Sequence, residues 1–118
     1  MTSLEKARIA VKALDQKKAQ DIRVIRVKDL TILADYFVIA GGTSSTQVKA
    51  LSDEVEYQLE QAGVPVIRNE GYQSASWIIL DYGDLLVHTF QKDTRSFYAL
   101  EKLWSDGENV DISDLLTD

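Results

Sequence analysis

SWIILDYGDLLVHTF, Ser76 to Phe90, is the stretch on which the fold turns. Two apolar runs flank DYGD, and a glycine between acids is turn chemistry. Strand alternation sends Trp77 and Ile79 one way and Ile78 and Leu80 the other. On the second run Leu86, His88 and Phe90 share a face, opposite Leu85, Val87 and Thr89. Both faces are apolar, which predicts a hairpin within a covered sheet. Gly83 suits a type II turn, or a type I turn with a bulge, and the cross-strand register stays open.

Upstream, Thr2 followed by Glu5 is a capping box, and Leu4, Ala7, Val11 and Leu14 recur at helical spacing. The pattern predicts an amphipathic helix over residues 3–17, closed by Lys17 and Lys18 at its negative end. A strand from Ile22 to Val27 follows, then a covered strand, YFVIA, ended by Gly41 and Gly42. Ser44 and Gln47 form a second capping box, and Val48, Leu51, Val55, Leu59 and Ala62 make one helical stripe up to the stop at Gly63. Val64 to Ile67 reads as a short strand near an edge, because Pro65 has no amide hydrogen to donate.

NEGYQSAS reads as a polar loop before the hairpin, and Thr94 caps a further helix running to Trp104. The order α-β-β-α-β-β-β-α predicts a single α/β (α+β) domain, a mixed sheet of about five strands with helices packed on it. The domain is expected over residues 1–104, with 105–118 an acidic tail.

The chain has 118 residues, 45% of them hydrophobic and 27% charged, a globular balance for one domain. It has no cysteine, which excludes disulfides, thiolate catalysis and Cys-based zinc sites. No apolar run approaches the ~20 residues that span a bilayer, and no secretory signal opens the sequence, so a cytoplasmic location is expected. Net charge is −6, unevenly placed. Residues 1–30 carry eight Lys/Arg against four Asp/Glu, net +4, and the remainder five against fifteen, net −10. Such a surface repels phosphate backbones and favours a basic partner.

Two readings of the hairpin compete. In one, Asp81 and Asp84 hold Mg²⁺ and GGTSSTQ cradles a phosphate at a helix N-terminus, a nucleotidyltransferase-like arrangement. Three details weigh against it. The two acids stand on opposite sides of a turn rather than spaced D-x-D on one strand. No Lys or Arg accompanies the glycines. An acid pair at a hairpin turn is usually turn chemistry, since Asp bonds its own backbone there; His88, the chain's single histidine, likewise has no neighbouring nucleophile motif. In the other reading, the surplus of aromatic and aliphatic surface serves an interface.

Three segments taken together carry a resemblance: DYFVIAGGTSSTQVKAL (Asp35–Leu51), EGYQSASWIILDYGDLLVHTF (Glu70–Phe90) and TRSFYALEKLW (Thr94–Trp104). In order and spacing they resemble the ribosomal silencing factor family, also called Iojap-like. Departures are mild, confined to apolar swaps at Ile79, Leu85 and Leu86 and to Gly42-Thr43 before the serine. The resemblance implies a fold related to nucleotidyltransferases, without enzymatic activity, cofactor or metal. It implies a translational repressor that binds the large ribosomal subunit through its fourteenth protein and blocks joining of the small subunit in starvation or stationary phase. A role in large-subunit biogenesis and the formation of homodimers are further implications. The contact residues expected on this basis are Trp77, His88, Arg95, Phe97 and Tyr98, with Asp81 and Asp84 as acidic partners for Lys or Arg.

Overall fold

The computed structural model describes residues 1–92 and 106–116. Its first helix, α1 (Ser3–Gln16), opens with the expected capping box. The Glu5 amide donates to Thr2 Oγ1 at 3.1 Å and the Thr2 amide to Glu5 Oε1 at 2.8 Å. That pair satisfies two of the four amides that a helix start leaves without partners. At the other end Lys18 occupies the left-handed region, φ +62°. Its amide donates to the Asp15 carbonyl and that of Ala19 to the Leu14 carbonyl, a Schellman closure with lysine where glycine is usual. Lys17 faces Glu54 across the helix pair at 3.9 Å.

The second helix, α2 (Ser45–Gln61), is capped by Ser44, whose Oγ accepts the Gln47 amide at 3.1 Å. The expected reciprocal bond is absent: Gln47 Oε1 turns instead to the Thr43 amide and hydroxyl, at 2.6 and 2.9 Å. Gly63, φ +85°, ends the helix as expected, its amide bonding Glu60 and that of Val64 bonding Leu59. Glycine serves there because L side chains are disfavoured at that φ.

Among the described residues the sheet has six strands: β1 (Gln20–Arg26), β2 (Tyr36–Gly42), β3 (Arg68–Glu70), β4 (Trp77–Asp81), β5 (Leu85–Gln91) and β6 (Glu108–Asn109). They lie in the order β3-β4-β5-β2-β1-β6. Only β2 and β5 run parallel; every other neighbouring pair is antiparallel. The sheet is therefore mixed, as expected, with one strand more than the sequence reading gave.

Two differences have local causes. The strand expected over Val64–Ile67 begins only at Arg68, Ile67 contributing a single amide to the Asp81 carbonyl at 2.8 Å. Pro65 has no amide to offer a ladder, so pairing starts beyond it. The sixth strand comes from the stretch read as an acidic tail. There Glu108 and Asn109 pair with Arg26 and Ile25 of β1, and Ile112 is buried in the core. A 3-10 turn follows at Ser113–Leu115. The helix expected over Thr94–Trp104 lies outside the described residues.

Alternation along the strands divides the core in two. Val24, Val38, Ile78, Leu80, Leu85 and Val87 meet α1 and α2 on one face. Ile25, Val27, Phe37, Ile39 and Phe90 form a separate cluster on the other, with Trp77 and Leu86 packed against it. β2 is buried along all but its first residue, as a central covered strand must be. Removing a fully buried side chain such as Leu51 costs about 2–5 kcal/mol, the lost transfer energy plus a cavity.

Candidate functional site

The β4–β5 hairpin fixes the register that the sequence left open. Trp77 stands opposite Phe90, Ile79 opposite His88 and Asp81 opposite Leu86. The Tyr82 amide closes on the Leu85 carbonyl at 2.9 Å, and Gly83 takes φ +88° between them. Asp81 Oδ1 accepts the Gly83 amide at 2.8 Å, the local role that aspartate commonly plays in a turn.

The two turn carboxylates answer different cations. Asp81 Oδ2 lies 3.4 Å from Arg68 Nη2 on β3. Asp84 takes Lys6 Nζ of α1 with both oxygens, at 3.0 and 3.2 Å. Among the described residues no group of three His, Asp or Glu side chains is placed to hold a metal. The GGTSSTQ turn is engaged within itself, Gln47 Oε1 accepting from the Thr43 amide and hydroxyl and Ser44 Oγ from the Gln47 amide. These contacts tie the hairpin to α1 and β3 and leave the acids apart.

An aromatic cluster sits on the face of the sheet opposite α1 and α2. Trp77 is half-buried, its ring stacked on Phe90 with centroids 5.3 Å apart and 18° between planes. Its Nε1–H donates to His88 Nδ1 at 3.1 Å. Trp77 and His88 are diagonal cross-strand neighbours, a separation that large rings bridge. His88 also meets Phe37 of β2, centroids 4.9 Å apart and tilted. It is only 4% exposed, and burial pushes its pKa down to about 4. A neutral ring accepting at Nδ1 carries its proton on Nε2, and that buried atom has no hydrogen-bond partner among the described residues.

The loop before β4 folds tightly against Trp77. Gly71 has φ +83°, and a Cβ placed there would stand 2.1 Å from the Trp77 carbonyl oxygen. The Ala75 amide returns to the Gly71 carbonyl at 3.0 Å. Tyr72 is drawn towards α2, its hydroxyl donating to Asp53 at 3.0 Å with Lys49 over its ring.

Trp77, Asp81, Asp84 and His88 are thus on one hairpin, but only Trp77 and His88 touch. Arg95, Phe97 and Tyr98, the remaining expected contact residues, lie outside the described residues. Sequence reasoning missed Lys6 and Arg68 as partners of the acids, Phe37 as a neighbour of His88, and Gly71 as the residue that admits the Trp77 backbone. The alternation of β2 carried a signal for Phe37. Lys6 and Asp84 are 78 positions apart and carried none.

Comparison with known proteins supplies the family. A family model described as ribosomal silencing factor during starvation matches residues 1–118, the whole chain. The chain belongs to the ribosomal silencing factor family. It is 38% identical over 117 residues to the ribosomal silencing factor RsfS of Halalkalibacterium halodurans, covering 99% of this chain and 100% of that one. With RsfS of Bacillus subtilis it shares 42% identity over 105 residues, 89% of each chain. A more distant relative is the mouse protein named mitochondrial assembly of ribosomal large subunit protein 1, at 35% identity over 98 residues, covering 80% of this chain and 43% of that protein. A crystal structure of a Chromobacterium violaceum protein superposes with a TM-score of 0.86 at 34% identity, over 96% of this chain and 93% of the other. The family expected from the three sequence segments is the family found, and the α+β fold is shared with this solved structure. No helix among the described residues is long and apolar enough to cross a membrane.

Proposed function

We propose that this family member silences ribosomes by docking on the large subunit through the Trp77 side of its sheet and obstructing entry of the small subunit. The observation that carries the reading is the half-buried Trp77, stacked on Phe90 and hydrogen-bonded to His88 on an apolar face. Braced aromatic residues of this kind concentrate binding energy at protein interfaces. The net charge of −6 supports a basic protein as the landing point rather than ribosomal RNA, whose phosphates it repels. The fourteenth protein of the large subunit is the partner that the family resemblance implies.

In this reading Trp77 anchors the contact, and the family resemblance adds Arg95, Phe97 and Tyr98 to the residues that meet the partner. Asp81 and Asp84 supply negative charge, exchanging or sharing Arg68 and Lys6 with cationic side chains of the partner. His88, being buried, contributes from behind Trp77. A rigid body held at the joining surface acts by exclusion, so the mechanism uses no catalytic residue, cofactor or metal. The work is done in the cytoplasm, on finished large subunits or on subunits still being assembled. A second copy of the chain on the same face forms a homodimer that competes with the ribosome for it.

The test is co-sedimentation with isolated large subunits, alongside light scattering of subunit joining. Wild type is expected to travel with large subunits and suppress joining. Trp77→Glu is expected to remain folded, stay at the top of the gradient and leave joining unaffected. Unaltered co-sedimentation of Trp77→Glu would sink the assignment of this face.

A further inference from the structure

His88 is a polar ring enclosed by apolar neighbours. Ile79 stands across from it on β4 and Ile39 on β2, and the rings of Phe37, Phe90 and Trp77 surround it. A phenylalanine there would fill similar space without burying a nitrogen that finds no partner among the described residues. What imidazole adds is an acceptor at Nδ1, and that acceptor is in use, 3.1 Å from the indole nitrogen of Trp77. The Trp77 ring stacks on Phe90, and stacking as such carries little preference for one in-plane orientation of the ring. A stack combined with one directional hydrogen bond selects a single orientation.

We infer that His88 is a positioning residue of Trp77: it touches no partner itself but, through its Nδ1, directs the indole into the orientation that the docking face presents. This rests on the docking role proposed for Trp77 and adds a division of labour to it, one residue making contact and the other fixing its geometry. The advantage is pre-organisation. A large side chain already immobilised loses little further freedom when its partner arrives.

The experiment uses the full chain and three variants. His88→Phe keeps a ring and removes the acceptor, His88→Asn returns an oxygen near the Nδ1 position, and Trp77→Phe removes the indole N–H. The first readout is the Trp77 indole signal in a ¹H–¹⁵N spectrum, assigned by its loss in Trp77→Phe. Wild type is expected to give one sharp signal, protected from hydrogen exchange. In His88→Phe that signal should exchange faster and broaden, and His88→Asn should recover protection. The second readout is affinity for isolated large subunits, expected to fall roughly three- to tenfold in His88→Phe and to return towards wild type in His88→Asn. In a Trp77→Phe background, His88→Phe should cost nothing more.

Retained indole protection in folded His88→Phe would overturn the inference, as would an equal further loss of affinity in the Trp77→Phe background. Nitrogen spectra of the wild-type His88 ring give an answer that depends on no variant folding: a proton on Nδ1 would also overturn it. Wild type that fails to bind large subunits while showing the protected indole would overturn the docking reading and leave the positioning role standing.

Discussion

Burial of the His88 imidazole, which lowers its pKa from 6.5 to about 4, makes stability depend on pH with a definite sign. Below about 6.5 the unfolded chain binds a proton that the folded chain refuses. Stability contributed by the neutral ring is therefore complete above 6.5, falls as pH drops towards 4 and levels off beneath it. The two pKa values differ by an amount worth roughly 3 kcal/mol. Urea unfolding at pH 7.5 and at pH 4.5 should register that loss in wild type, and His88→Phe should flatten the difference. Glu5 and Asp111, whose pKa values are lowered by hydrogen bonds, contribute stability that is lost as pH falls from the ordinary carboxylate range downwards. Gly71 gives a second residue-level expectation. Gly71→Ala combines an unfavourable φ with a Cβ driven into the Trp77 carbonyl, so a loss of more than about 2 kcal/mol should appear in the urea midpoint. That His88 sits on an apolar face was legible from alternation alone. That its Nδ1 meets Trp77 was not, because the diagonal contact exists only in the register set by DYGD, and either turn type satisfied the sequence.

The two helices show how closely local chemistry was readable, and where it stopped. Thr2 and Glu5 did what their spacing dictated, as did Gly63, because a cap depends on atoms within one turn. Gln47 departed from the same rule because a nearer donor, the Thr43 amide, competed for its side chain. The end of α1 was misread for a related reason: lysines after a helix suggest dipole compensation, yet Lys18 is pressed into the left-handed region by the Schellman closure. A non-glycine residue there is disfavoured by about 1 kcal/mol. Lys18→Gly should return most of that, raising the melting temperature by several degrees in a thermal scan. The β3 boundary moved because a proline withholds one donor. Pairings far apart in sequence, such as Lys6 with Asp84, had no local trace, since only the completed sheet brings α1 over the hairpin turn.

At the scale of the molecule, the stretch beyond Gly107 belongs to the domain rather than trailing from it. The Val110 amide bonds the Val24 carbonyl at 2.9 Å, Arg8 meets Asp114 at 2.6 Å and Ile112 enters the helix-side core. A chain ending at Gly107 should unfold at lower urea, by roughly 2 kcal/mol from the Ile112 side chain alone. Composition disguised this: acids dominate the segment, and one isoleucine among them carries the burial. The seam between β2 and β5 has its own consequence, for the order of assembly during synthesis. It joins positions 36–42 to 85–91, so the middle of the sheet waits for about fifty further residues after β2 is made, and the β1–β6 edge waits longer still. Until Gln91 has been made, β2 has a bare margin and α1 and α2 rest on half a floor. A fragment ending at Gln61 should therefore lack cooperative melting in circular dichroism. Cells translating this protein carry, for that interval, an adhesive half-domain whose safety depends on the speed with which the second half arrives.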